Sequence, residues 1–326
     1  SFHAALDFPQ LFENQPMLSV SDLPEREFKL TNAGTKSFLS WVQALQSDFF
    51  ALYSEDTFDD LPLHIVMEST GVYSIQLEKM ILALFPYAKV VIANPEPIKA
   101  FSISLNIKNK TDKIDAQVIA RYGRERTPVA KRKMSAEMEK LRSYARARSF
   151  LKDQRTALGN YHDNIIDSLA KRMCTNVAKS IDKEIAGLDR EIDKIVLSVP
   201  EIKHEVDIMT SMPGIGQGTA VMLLGELGSL KDYPTRQKIT AMSGLNPVRK
   251  LSGTSVNQTK LSKKGSPLVR RFLYMCSKTA MPRIPVLQDL YNRVLAKGNT
   301  RMQARCAVMR KMLLILRGMV IADIIF

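Results

Sequence analysis

The sequence predicts an α/β domain followed by a largely helical remainder, and three observations lead there. Two β-branched apolar runs, LHIVME (63–68) and AKVVIANP (88–95), flank a helix-periodic segment. A strand, a helix and a strand at that spacing form a βαβ unit with a parallel pair. From 134 to 200 glycine and proline nearly vanish, and apolar residues recur at alternating steps of four and three. With 326 residues the chain exceeds one ordinary core.

The elements follow in order. SFHAALDF and REFKLTN near the start read as antiparallel strands, separated by a polar stretch without a clear period. AGTKSFLSWVQAL is helical, as is YSIQLEKMILALF, with Ile75, Leu77, Met80, Ile81 and Leu84 at helical spacing. Ile181, Ile185, Leu188, Ile192, Ile195 and Val199 form a heptad seam. The preceding Leu141, Leu151, Leu158, Ile165 and Leu169 extend it into a helical arm or antiparallel hairpin. Such an arm either packs on its own domain or joins two copies. In MTSMPGIGQGTAVMLLGELG, Pro213, Gly214 and Gly216 open an apolar helix. This is the turn of a helix-hairpin-helix, whose backbone N–H groups face a phosphate, or a plain turn.

Charge is unevenly placed. Residues 241–326 hold 16 of the 47 lysines and arginines but only two of the 33 acids, so the whole net charge of +14 lies there. That asymmetry points to a polyanion, nucleic acid above all. Cys174, Cys276 and Cys306 are far apart, which argues against a zinc site or a disulfide framework and suits a reducing, cytoplasmic setting. No apolar stretch is long enough for a membrane span; residues 312–316 read as a buried helix face.

NIKNKTDKIDAQVIARYGR (106–124) sets Asp112 and Asp115 on one helical face among Lys108, Lys110 and Lys113. Two carboxylates that close repel unless a cation lies between them, and a divalent metal supplies one. Glu68, ending a strand, is the natural third ligand, because sites in parallel sheets gather at the carboxyl ends of strands. The lysines would hold the nucleic acid. The plainer reading of the aspartate pair is a solvated helix face or a cap.

GLNPVRKLSGTSVNQTKLSKKGSPLVRRFLYMCS (244–277) is rich in serine, threonine, glycine and bases. Ser252 and Ser255 flank Gly253 in what reads as an exposed loop. Ser266 is the expected cap of the next helix, with Pro267 in its first turn. Arg249, Lys250, Lys260, Lys263, Lys264, Arg270 and Arg271 supply cations for phosphate. On composition alone the loop is a phosphate binder. A serine nucleophile would need activation from elsewhere, because no histidine is near.

IVMESTGVY, VVIANPEPIKAF, NKTDKIDAQVIARY, SMPGIGQGTAVMLLGELG, GLNPVRKLSGTS and FLYM together resemble, in this order, the DEDD insertion-sequence transposases of the Piv-invertase-like group. Some members of that group are guided by a bridge RNA. The resemblance runs from about Glu68 to Lys311. It implies a RuvC-like RNase H-fold domain (1–130) lacking its first strand, a helical coiled-coil arm (131–203) and a mostly helical C-terminal transposase domain (204–326). It also implies that Glu68, Asp112 and Asp115 are three of four acids binding Mg²⁺ or Mn²⁺. Ser252 is then the serine that links covalently to DNA, in a composite site formed across subunits. The partners implied are DNA, a guide RNA and further copies of the chain as a dimer or tetramer.

The family's first acid sits in a strand Gly-Ile-Asp-x-Ser/Ala-Lys. Here Asp7 lacks those neighbours, so the expectation is that the chain starts after that acid; otherwise Asp7 fills the role. The expected function is DNA strand exchange through a phosphoserine intermediate. A metal-dependent nuclease or Holliday-junction resolvase without a covalent step, and an inactive nucleic-acid-binding remnant, are the rival readings.

Overall fold

A computed structural model describes residues 1–8, 18–51, 63–107, 110–129, 134–252 and 256–326. For 49–51, 249–252 and 256–260 the description covers the backbone alone. The protein is mostly helical with small two-stranded sheets, and it divides into two compact units, Ser1–Lys133 and Met134–Phe326.

In the first unit β1 (Phe2–Ala5) pairs antiparallel with β2 (Glu25–Phe28), as the sequence predicts. Helix α1 (Asn32–Ala51) follows. Strand β3 (His64–Glu68) pairs parallel with β4 (Lys89–Ala93), and α2 (Val72–Leu84) crosses between them. This is the expected βαβ unit. Helices α3 (Pro95–Ser104) and α4 (Asp112–Arg126) complete the unit. Phe28 anchors one core with Phe38, Val42, Ile81 and Val90; its ring lies 5.5 Å from that of Phe38, edge to face. Phe101, Ile98, Ala93 and Val118 form a second cluster between α3, β4 and α4. Each helix start has a chemical cause. Asn94 caps α3 ahead of Pro95, and the Thr111 hydroxyl accepts from Ile114 N to cap α4. Gly71, at φ 70°, makes the turn from β3 into α2 that a residue with Cβ resists.

The second unit opens with two long helices, α5 (Ala136–His162) and α6 (Ser168–Ser198), packed along each other as a hairpin. The periodic residues of α6 face inward, Ile192 fully. Ile165, assigned to the helical pattern from its spacing, instead lies in the connection, because the chain turns after Asp163. Then come α7 (Pro200–Ser211), α8 (Gln217–Leu227) and α9 (Arg236–Met242). Strands β5 (Pro247–Ser252) and β6 (Val256–Leu261) pair antiparallel. Helices α10 (Pro267–Ala280), α11 (Pro285–Ala296) and α12 (Arg301–Ala322) end the chain. Met209, Leu223, Leu273, Met312 and Leu316 sit in one large core, fully buried. The apolar run at 312–316 is thus a buried helix face, as its flanking charges foretold.

One expectation is corrected here. In the serine-rich segment the stretches on either side of residues 253–255 are paired strands, so Ser252 ends a strand and is not within a loop. Ser252 closes β5 opposite Val256, and Ser255, with residues 253 and 254, lies outside the described residues.

Candidate active-site carboxylates and nucleic-acid interface

Helix α4 positions two of the three predicted metal ligands. It packs on β3 and runs antiparallel to it. The His64 ring donates to the carbonyl of Pro128, just past the end of α4. Further back, Gly123 lies so close to Val66 that a Cβ there would come within 3.0 Å of Cγ2. The first turn of α4 therefore points toward the carboxyl end of β3, where Glu68 sits. At about 1.5 Å per helical residue and about 3.3 Å per strand residue, Asp115 lies roughly 5 Å beyond the level of Glu68 along the helix.

Glu68 and Asp115 are half-buried and Asp112 is exposed. Among the described residues none of the three has an ion pair or a side-chain hydrogen bond. Thr111 caps the helix, so neither aspartate is needed for that task. Both still lie in the first turn, where the helix dipole favours negative charge. Among the described residues no three His, Cys, Asp or Glu side chains form a group that would enclose a metal ion. The three carboxylates share one end of the unit without closing on a common point. Their hard oxygen donors suit a hard divalent cation.

Asp7, the alternative first acid, has a different fate. Arg121 Nε lies 2.5 Å and Arg124 Nε 3.1 Å from its Oδ2, and its side chain is buried. Burial lowers the pKa of His64 more than the Pro128 hydrogen bond raises it, so its ring is biased to the neutral form.

The predicted nucleic-acid contacts divide sharply. Lys110 and Lys113 are exposed at the start of α4, and Lys113 Nζ approaches Glu25 at 4.0 Å. Lys108 lies outside the described residues. Gly214 and Gly216 do different jobs. Gly214, at φ +91°, is packed on α10, where a Cβ would lie 2.9 Å from Ala280 N. Gly216 is exposed at the start of α8 with open space around it. Arg249, Lys250 and Lys260 lie on β5 and β6, their side chains outside the described residues. Lys263 and Lys264 are exposed after β6. Arg270 instead donates to the carbonyls of Ser243 and Gly265, at 3.2 and 2.9 Å. Arg271 binds Asp153 and Ser149 on α5, at 2.6 and 2.8 Å. Arg270 is thus engaged by the backbone, while Arg271 forms a surface ion pair and stays 45% exposed.

The chain matches two family models. One, "Transposase IS116/IS110/IS902 family", covers residues 206–292, and the other, a DEDD "Transposase" model named for IS110, covers 29–170. The pilin gene-inverting protein of Moraxella bovis is 30% identical over 290 residues, which is 88% of this chain and 86% of that protein. The chain belongs to the IS110-type transposase family. The pilin gene-inverting protein of Moraxella lacunata is 29% identical over 255 residues, 78% of each chain. An uncharacterized IS110 protein of Streptomyces coelicolor is 27% identical over 157 residues, 48% of this chain and 36% of its own length. Family membership makes this chain a DNA transposase/recombinase. The DEDD match spans Glu68, Asp112 and Asp115, the second match spans the Gly214 turn and Ser252, and Asp7 falls outside both. No helix among the described residues is long and apolar enough to cross a membrane.

Sequence reading missed the most connected acid of this transposase. Glu226 is buried in α8, and Arg146 on α5 grips it with Nε at 2.5 Å and a second nitrogen at 3.1 Å. The Ser266 hydroxyl, which also caps α10, donates to it at 2.7 Å. Burial works against its charge, but the bonds from Arg146 and Ser266 and the nearby Arg142 outweigh that and hold its carboxyl below the usual range. Glu226 thus ties the α5–α6 hairpin to the helix that follows the serine hairpin. The signal was available: a lone acid inside VMLLGELG must find a cation when buried.

Proposed function

We propose that this transposase exchanges DNA strands through a covalent phosphoserine intermediate at Ser252, with Glu68, Asp112 and Asp115 holding Mg²⁺ or Mn²⁺. The observation that carries the reading is the contrast among its acids. Among the described residues Glu68 and the two aspartates have no protein partner at their end of the unit, while Asp7 is locked to arginines. Carboxylates without a counter-charge, two of them half-buried, are available to a ligand cation. The parallel β3–β4 pair with α4 across it supports a RuvC-like reading of the first unit.

Glu68, Asp112 and Asp115 would hold the divalent cation, which would supply Lewis-acid stabilisation of a phosphodiester's developing charge. The chain's own residues do the rest. The Ser252 oxygen attacks phosphorus, a serine–phosphorus ester forms, and the bond to the leaving sugar oxygen breaks. The serine proton ends on that oxygen. Attack by the hydroxyl of another strand reverses the step and joins new partners. Lys110, Lys113, Lys263 and Lys264 offset phosphate charge, and Gly216 lets the backbone approach it. A guide RNA supplies target choice by base pairing, as in other RNA-guided systems. Leu169, Met173 and Val177, spaced four apart and exposed along α6, support assembly into a dimer or tetramer.

One incubation tests the chemistry: labelled DNA and Mg²⁺, resolved on a denaturing gel. The wild-type chain yields a protein–DNA adduct, and Ser252→Ala binds DNA without forming it. An adduct retained by the alanine variant refutes the serine. Cleavage with free ends and no adduct means a nuclease using water. Binding without cleavage means an inactive remnant.

A further inference from the structure

We infer that Tyr73 is a stacking platform for an unpaired DNA base beside the carboxylate site, an inference that rests on the function proposed above. Tyr73 lies in the first turn of α2, five residues after Glu68, so its Cα is within roughly 17 Å of the Glu68 Cα on chain length alone. The turn through Gly71 shortens that reach. Ser74 is buried and its hydroxyl donates to Gly71 O at 3.0 Å, which fixes the helix start and turns the preceding residues outward. Tyr73 is 66% exposed, and its neighbours Val72 and Ile75 are also open to solvent. An aromatic and two aliphatic side chains exposed together on the opening turn of a helix lose contact with water only when something covers them.

The surroundings specify the occupant. At the carboxyl end of β3, Ser69 and Thr70 are exposed and Glu68 is half-buried, and the first turn of α4 points to that same end with Lys110 and Lys113 exposed. Cations for a phosphate backbone and a flat, sequence-tolerant π surface are the two parts of a single-strand site. A protein segment covering Tyr73 would have no use for the lysines. A strand whose phosphate reaches the carboxylates has bases within a few nucleotides of the ring, and breaking and rejoining strands exposes unpaired bases. Tyr73 therefore holds the strand in register while its phosphate reacts.

The test uses the full chain with a single-stranded deoxyoligonucleotide carrying 2-aminopurine, whose fluorescence falls on stacking. With Ca²⁺ present, the wild type and Tyr73→Phe quench it, while Tyr73→Ala does not and binds about tenfold more weakly. Circular dichroism shows all three equally folded, since the side chain is exposed. Quenching that survives in Tyr73→Ala overturns the platform, as does an unquenched wild type. Quenching of the matching RNA but not of the DNA overturns the choice of strand. Ser252→Ala separates the two ideas. If its adduct is lost while Tyr73→Ala behaves as wild type, the platform falls and the proposed chemistry stands. If its adduct persists while quenching depends on Tyr73, the reverse holds.

Discussion

Arg121, in the third turn of α4, closes on Asp7, just past the end of β1: Nε and Oδ2 are 2.5 Å apart, with side chains only 6% and 5% exposed. The same arginine donates to Leu18 O at 2.5 Å, and Gln117, one turn earlier on α4, donates to Ser21 O and Leu23 O at 3.1 and 2.8 Å. Helix α4 is thereby bolted to the strand and turn around β1, which sets the direction of its first turn and so of Asp112 and Asp115.

Breaking this pair leaves a buried charge unmatched. Arg121→Ala should destabilise the first unit by about 3–5 kcal/mol, read from chemical denaturation. Asp7→Asn should also lower stability while leaving the Mg²⁺ dependence of strand exchange unchanged. A shifted metal requirement in Asp7→Asn would return that residue to the ligand set.

Asp115→Asn should behave in the opposite way. With no partner among the described residues to lose, it keeps the melting temperature of the wild type. Its strand exchange needs more Mg²⁺, because the ion gives up a charged ligand. Titrating activity against Mg²⁺, beside a thermal melt, checks both halves.

Two buried glutamates in the second unit predict opposite pH slopes. The folded pKa of Glu226 is depressed, so its contribution is present above the unfolded carboxylate value and is lost as pH falls through the folded one. Glu205 differs: burial raises its pKa more than its bonds from Ser229 and Leu230 N lower it. Its neutral form favours the fold, so stability falls as pH rises from the unfolded value through the raised one. Glu205→Gln should flatten that decline and Glu226→Gln should remove part of the acid loss. Denaturation midpoints across the acid range give both slopes.

The two glycines of the hairpin turn should separate packing from binding. Gly214→Ala must adopt a left-handed backbone and push against Ala280, costing at least about 1 kcal/mol. Gly216→Ala, with open space and φ −92°, should melt like wild type. Gly216→Asp should keep the fold and bind DNA more weakly, through repulsion of phosphate. Thermal melts and a binding titration at fixed salt distinguish them.

Lys110→Gln with Lys113→Gln should lower the slope of log affinity against log salt by about 1.4–1.8 if both lysines contact phosphates. Fluorescence anisotropy over a salt series measures it. An unchanged slope would remove the two lysines from the interface.

Much of this molecule is legible in its sequence because the determinants are local. The β-branched apolar runs in LHIVME and AKVVIANP, period 3.6 in YSIQLEKMILALF, the caps at Thr111 and Ser266 and the glycine at 71 each act within a few residues. So the βαβ unit, the long helical pair and the helix starts follow from the chain alone, and so does the concentration of positive charge after 241. The strands flanking residues 253–255 were not legible because their serine, threonine and basic residues lack apolar alternation, whereas pairing of β5 with β6 satisfies their backbone.

What only the tertiary structure decided is which charged residues have partners. Asp7, Arg270, Arg271 and Glu226 look no different in sequence from Asp112, Lys110 or Lys263, yet the first group is taken up in ion pairs and backbone bonds. The reason is physical: a charge leaves water only where elements remote in sequence bring it a counter-charge, and Asp7 meets Arg121 across 114 positions of chain. The residue types, their spacing and the balance of charge were fixed along the chain. The division between charges paired within the fold and charges without a partner among the described residues was settled by packing.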